Sequence, residues 1–415
     1  MSRKLNVYLC GDKVGVLSEN ELLQLSFHYD NDKVAPLSVH LPVRDEEYPH
    51  ALAFPFFENL TPEGDAFDIL TRDHVAGNKT FSILNRLGGD CAGAVAFYET
   101  APDHTKGEPL IEISPATIAY IIDELPNDPL LTSLENPPRL SLAGAQSKFA
   151  VHQANGKYYR SDDQHPTTHI IKIINKRFPD LLKNELFCMK LAEEMQMDVP
   201  NVELKETEGR PYLEIERYDR HREKGTVRRI HQEDFCQALG FVSDKKYQTD
   251  GGASLRDCHQ VIGEFSETKL RDIRRFVEWI VFNYLIGNTD AHAKNLSLLH
   301  AKTGLRLAPF YDLLSTEVYP ARLVDHKMAM LINGKGRYDS LKPVDFVSLF
   351  GQLGLNATNM MKSVKDKFSP IISTAEALCD KLRIDEKTAT SPLIHDIIAM
   401  MRKRHATLFN GELVR

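Results

Sequence analysis

Hydrophobic and polar positions alternate at the start of the chain, where Leu5-Asn-Val-Tyr-Leu and Val14-Gly-Val predict two strands around a turn at Gly11 and Asp12. The first hundred residues read as mixed α/β. A polar stretch from Thr100 to Pro109, with Gly107 inside it, marks a boundary. A short helical patch, Ile118 to Leu125, and prolines at 126, 129, 137 and 138 follow. Between Phe149 and Tyr218 the pattern turns strand-rich. Phe149 to His152 and Lys157 to Arg160 flank Asn155-Gly156, two residues that tolerate positive φ and so predict a hairpin. His169 to Ile174 is β-branched enough for a buried strand, and Leu182, Leu186, Met189 and Met195 place a helix over 181–197. Two further strands surround Glu208-Gly209. Beyond Asp234 helical spacing dominates, with Ile273, Val277, Ile280, Val281, Tyr284 and Leu285 on one face and Gly287 ending that helix. A β-rich lobe followed by a larger helical lobe is the layout of a two-lobed nucleotide enzyme. We divide it into 1–105, an α/β subdomain; 106–225, a β-rich nucleotide-binding lobe; and 226–415, a helical lobe.

Composition narrows the classes. At 415 residues the chain exceeds the roughly 250–300 at which a single core stops growing. Its net charge of −7 argues against a chain that binds polyanions over its whole surface. The longest apolar run, Ile280 to Ile286, falls far short of the roughly 20 residues that span a bilayer. The N-terminus lacks the apolar core of a signal peptide. The six cysteines are scattered, with no C-x-x-C pair, which fits buried thiols in a reducing compartment. These features predict a cytoplasmic protein with no membrane partner.

The richest chemistry lies in Gly287-Asn-Thr-Asp290-Ala-His292-Ala-Lys294-Asn295. Asp290 and Asn295 have the D-x-x-x-x-N spacing of kinase catalytic loops, where one residue accepts the substrate hydroxyl's proton and the other offers an oxygen to magnesium. Alone, such a pair is common in ordinary loops. The strand pattern Leu305-Arg-Leu, followed by Pro309-Phe-Tyr-Asp312, adds an Asp at a strand exit, where a kinase keeps its second metal carboxylate; a turn-capping Asp is the plainer alternative. Upstream, the small-residue loop Ala143, Gly144, Ala145, Gln146, Ser147 and Lys148 leaves room for backbone amides to approach phosphates. Lys172 stands mid-strand, where a charge is costly unless paired. An edge strand with the ammonium in water explains it equally well. For Glu185, a solvated helix acid is the stronger reading and a partner for Lys172 the weaker. Glu216 to Tyr218 is a candidate adenine-binding hinge. His292 reads as a structural hydrogen-bonder and Lys294 as a contact to the transferred phosphate.

Together these residues resemble the HipA family of bacterial kinases. The resemblance rests on Leu140 to Lys148, Pro166 to Lys172, Asn184-Glu185, Glu216 to Asp219, His231 to Gln237, Lys246 to Gly252, Leu285 to Asn295 and Pro309 to Asp312, and on Phe57 to Gly64 and Gly88 to Val95 in the first subdomain. It implies a protein-kinase-like α+β fold with an extra N-terminal subdomain and an all-α C-terminal lobe. It implies a serine/threonine kinase that uses ATP and Mg2+. Asp290 would be the catalytic base, and Asn295 and Asp312 the metal ligands. Lys172 and Ala143 to Lys148 would hold the phosphates, with Glu216, Tyr218, His292 and Lys294 around the nucleotide. Ser141 would be an inactivating autophosphorylation site; Ser147, where the family's loop would carry an acid, is a second candidate. Implied partners are a helix-turn-helix antitoxin, operator DNA mainly through that antitoxin, and a protein substrate, which for some members is an aminoacyl-tRNA synthetase. A small-molecule phosphotransferase shares the Asp…Asn…Asp logic, and a non-catalytic co-repressor is a third reading that the complete residue set disfavours.

Overall fold

The computed structural model describes residues 3–72, 77–102, 110–128, 131, 146–162, 164–175, 177–178, 180–223, 225–385 and 391–410. The chain falls into two compact units. One comprises 1–175, 205–243 and 297–304, and the other 176–204, 244–296 and 305–415.

The first unit holds two large sheets, together with two smaller ladders, Arg220–Glu223 with Thr226–Arg229 and Gln232–Asp234 with Ser297–Ala301. The N-terminal sheet is antiparallel, in the order Leu25–Tyr29, Asp12–Glu19, Arg3–Leu9, Val95–Tyr98. Its first hairpin closes on Cys10 and Gly11, both at positive φ, with Leu9 opposite Asp12. The alternation seen in the sequence puts Leu5, Val7, Leu17 and Phe27 into a core with Phe56 and Phe57 of the helix His50–Glu58. The second sheet runs Glu112–Ile113, Lys157–Tyr159, Lys148–Ala154, His169–Ile173, Arg210–Glu216, Val202–Thr207. Asn155-Gly156 and Glu208-Gly209 make its tight turns, all four residues at positive φ. The helix Pro115–Glu124 starts three residues before the apolar patch that announced it, because Ser114 caps it and Pro115 fits the first turn. Its Ile118 and Ile121 pack with Phe149, Val151 and Ile171 of the sheet.

Within this unit the segment after Arg210–Glu216 is fixed by charge. Arg217 donates from Nε and Nη2 to the two oxygens of Asp219, at 2.9 and 2.7 Å, and from Nη1 to Thr167. Arg220 donates to Asp90 at 2.7 Å, Thr167 N–H donates to the other Asp90 oxygen, and Gly93 N–H donates to Asp219. Burial alone would raise the Asp90 pKa, but the guanidiniums of Arg220, Arg229 and Arg217 hold it at about 2. A depressed carboxylate contributes stability above its unfolded pKa of about 4 and loses it as pH falls toward 2. Removing one partner strands the others without solvent. Asp90→Asn is therefore expected to cost about 3–5 kcal/mol in urea unfolding at neutral pH, and the penalty should shrink as wild type and variant are compared at successively lower pH between about 4 and 2. A loss below about 1 kcal/mol would show the cluster to be energetically idle.

The second unit is built around the helix Lys269–Ile286, buried on every side from Phe276 to Ile286. Gly287 ends it in the left-handed conformation at φ 73°, where an added Cβ would also lie 2.5 Å from Arg404 Nη1. The helices Leu181–Glu194, Leu255–Phe265, Pro343–Gln352, Ala357–Phe368, Ile371–Asp385 and Pro392–Asn410 complete the helical part. A small hairpin, Lys327–Ile332 with Lys335–Arg337, lies among the helices of this unit. Asn333 and Gly334 form its turn at φ 49° and 75°, so the residue pair that revealed the earlier hairpin also marks this one. No helix among the described residues is long and apolar enough to cross a membrane.

Candidate active site

Two loops of the second unit carry the acidic candidates, and backbone bonds stitch them together. The Gly287 carbonyl accepts from the amides of Thr316 and Glu317, both at 3.0 Å. Thr289 N–H donates to Thr316 Oγ1 at 2.6 Å, and the two threonine hydroxyls lie 2.7 Å apart. Asn288 Nδ2 bonds Asn283 Oδ1 at 2.8 Å and reaches the Asp312 carbonyl at 3.4 Å, while Tyr338 donates to the Asn288 carbonyl. Asn184 then clamps the second loop, donating to the Ser315 carbonyl and accepting from its amide. Buried polar groups this thoroughly paired hold a loop in one conformation.

Asp290 emerges from this frame with its side chain 39% exposed. Its amide bonds Asn288 Oδ1, and its Oδ1 accepts from the Tyr247 hydroxyl at 2.5 Å. Asn295 ends a 3₁₀ turn, Ala293–Asn295, and its Nδ2 donates to the Asp290 carbonyl at 2.9 Å. Because the amide nitrogen is engaged, the oxygen is the atom Asn295 offers to a ligand. Asp312 sits at φ 58°, uncommon for a residue with a Cβ but tolerated by Asp. One carboxylate and one amide oxygen are hard donors of the kind magnesium takes, so the donor set fits the implied ion. His292 is 5% exposed, its Nε2 3.7 Å from Asp290 Oδ1 and its ring edge-on to Tyr247. Lys294 is buried, and its carbonyl accepts from the Tyr311 hydroxyl.

The remaining candidates divide between the units. Lys172, in the first, is 6% exposed on an inner strand, opposite Lys148 on one side and Leu213 on the other. The edge-strand alternative is thereby excluded. Glu185, in the second, is fully buried, so it is not a solvated helix acid. Gln146 Nε2 donates to the Ile173 carbonyl at 3.4 Å, which ties the end of the small-residue loop to the lysine strand; Ser147 and Lys148 follow it into the sheet. Glu216 is exposed at the end of its strand, and Tyr218 donates to Gln232. Ser141, Ala143, Gly144 and Ala145 lie outside the described residues. Sequence reasoning passed over Tyr247, Asn288 and Thr316 as site residues. Tyr247 lies 43 positions before Asp290, and its only advertisement was the glycine-rich run Lys246 to Gly252.

The fold is that of a kinase-like α+β enzyme with a β-rich and a helical lobe. Residues 5–98 match the HipA N-terminal domain and residues 140–376 the HipA-like C-terminal domain. The Y4mE protein of Sinorhizobium fredii is 36% identical over 404 residues, 92% of this chain and 95% of its own length. The serine/threonine-protein kinase toxin HipA of Shewanella oneidensis is 29% identical over 374 residues, 83% of each chain. A solved Shewanella oneidensis structure, of HipA with HipB and operator DNA, superposes at a TM-score of 0.81 over 97% of this chain and 96% of that one, at 24% identity, and so speaks for the fold. The chain belongs to the HipA family, a family of serine/threonine kinase toxins.

Proposed function

We propose that this chain transfers the γ-phosphoryl group of ATP to serine or threonine hydroxyls of a protein, and that the transfer arrests growth. The observation that carries the reading is the pair of stitched loops presenting Asp290, Asn295 and Asp312 from one unit. Asp290 takes the proton of the acceptor hydroxyl. Asn295 and Asp312 hold magnesium, which when bound neutralises charge on the transferring phosphates. Lys172 and the segment Ala143 to Lys148 bind phosphate oxygens, Lys294 contacts the transferred phosphate, His292 binds the nucleotide, and Glu216 and Tyr218 meet adenine with their backbone. The ion cluster around Arg217 keeps that last segment rigid. Phosphorylation of Ser141 switches the enzyme off by adding negative charge beside the phosphate loop. The three-part division 1–105, 106–225 and 226–415 is part of this proposal. So are a cytoplasmic location, a helix-turn-helix antitoxin, operator DNA reached through it, and an aminoacyl-tRNA synthetase as substrate.

Magnesium–ATP at about 100 times its Kd is expected to stabilise the wild type by about 2.7 kcal/mol through mass action, read as a rise in melting temperature. Lys172→Ala should lose most of that rise and most of the incorporation of labelled phosphate into protein. Melting curves indifferent to millimolar nucleotide, with no labelled protein, would sink the reading. Rapid labelling of an aminoglycoside or a sugar instead would make the enzyme a small-molecule phosphotransferase.

A further inference from the structure

Asp290 has two carboxylate oxygens in unlike surroundings. Oδ1 accepts from Tyr247 and lies 3.7 Å from His292 Nε2. Among the described residues no hydrogen bond reaches Oδ2. We propose that Tyr247 is a positioning residue for phosphoryl transfer, fixing Oδ1 so that Oδ2 is the oxygen that receives the acceptor's proton. The inference rests on Asp290 being the base. In the step itself the acceptor oxygen bonds phosphorus, the phosphorus–oxygen bond to ADP breaks, and the acceptor's proton moves to Oδ2.

The loop that carries Tyr247 is built to present it. The Tyr247 carbonyl accepts from the amides of Asp250 and Gly252, both at 3.0 Å, closing a tight turn around the 3₁₀ segment Gln248–Asp250. Gly251 takes φ 86°. At Gly252 an added Cβ would stand 1.8 Å from the Lys245 carbonyl oxygen, so only glycine fits the turn. Gln248 Oε1 accepts from Leu331 N–H at 2.8 Å and anchors the turn to the hairpin strand Lys327–Ile332. The Tyr247 ring stands edge-on to His292, centroids 5.6 Å apart, which fixes its tilt. A rigid turn, a side chain held by a ring contact and a hydroxyl on one oxygen of the base leave that carboxylate little rotational freedom. Orientation of a reacting group is worth large rate factors.

The test uses the full chain, with labelled magnesium–ATP as the probe and the rate of self-labelling as readout. Tyr247→Phe is expected to lower the maximal rate about tenfold, the worth of a hydrogen bond to a charged group. The ATP concentration for half-maximal rate and the melting temperature should stay as in wild type. Gly252→Ala, which must displace the turn, should reproduce the loss of maximal rate. A maximal rate at or above wild type in Tyr247→Phe would overturn the proposal, because the hydroxyl would then be blocking the acceptor's place. A loss accompanied by a matching rise in half-saturating ATP would also overturn it, showing general damage to the site. Wild-type protein that labels nothing would remove the underlying kinase reading instead, and the proposal with it.

Discussion

Asp290→Ala is expected to reduce phosphate transfer by at least about 10³-fold, the scale on which removal of a catalytic group acts, while the protein stays folded. The side chain is part-exposed and makes one strong contact, to Tyr247. The loop is held by other residues: Gly287 to Thr316 and Glu317, Thr289 to Thr316, and Asn288 to Asn283. Asn295 bonds the Asp290 carbonyl, which alanine keeps. Circular dichroism and melting should therefore match the wild type, and induced expression of the variant should no longer slow growth. A folded Asp290→Ala protein that still arrests cells would show that arrest does not depend on phosphoryl transfer through this residue.

Asp312 permits a sharper comparison, because its backbone and its carboxylate can be varied separately. At φ 58° alanine is strained by roughly 1 kcal/mol, whereas asparagine tolerates the conformation. Asp312→Asn should thus keep the wild-type melting temperature, and Asp312→Ala should lose a few degrees. Both should lose transfer by about 10³-fold, since each removes the negative charge that, in the proposed mechanism, pairs with the metal. In Asp312→Asn, residual transfer should need more magnesium for half-maximal rate than the wild type does. If Asp312→Asn retains near-normal transfer with unchanged magnesium dependence, Asp312 is a turn residue and the metal is held elsewhere.

Much of this architecture was legible in residue order, for reasons that differ by element. Turns were legible where chemistry is local: Asn155-Gly156 and Gly287 each demand a positive φ that few residues accept. Burial was harder to read. Lys172 and Glu185 look like surface residues by type, yet both are buried, because neighbours distant in sequence decide their surroundings. The same holds for the side chains of Asp90, Arg217, Asp219 and Arg220, whose charges would ordinarily mark a solvated face. They meet only after the first subdomain has folded beside the second sheet within one unit. Asp290, Asn295 and Asp312 were singled out as candidates because two of them share a short loop of fixed spacing. Tyr247 escaped because its partner is 43 residues away and nothing periodic connects the two.

The order in which the two units take up the chain bears on how the protein is made. The backbone passes between them at 175/176, 204/205, 243/244, 296/297 and 304/305. The first unit therefore cannot close until residue 304 has left the ribosome, when the Asp312 loop, the hairpin Lys327–Ile332 with Lys335–Arg337 and the last four helices of the second are still to follow. Its strand Gln232–Asp234, for instance, pairs with Ser297–Ala301, so that ladder waits for the later segment. At about 5–20 residues per second, such waiting lasts several seconds, during which that strand's edge lies open to solvent and to chaperones. A nascent chain stalled at residue 290 should be cleaved readily by protease even in its N-terminal half, whereas one released after residue 410 should resist.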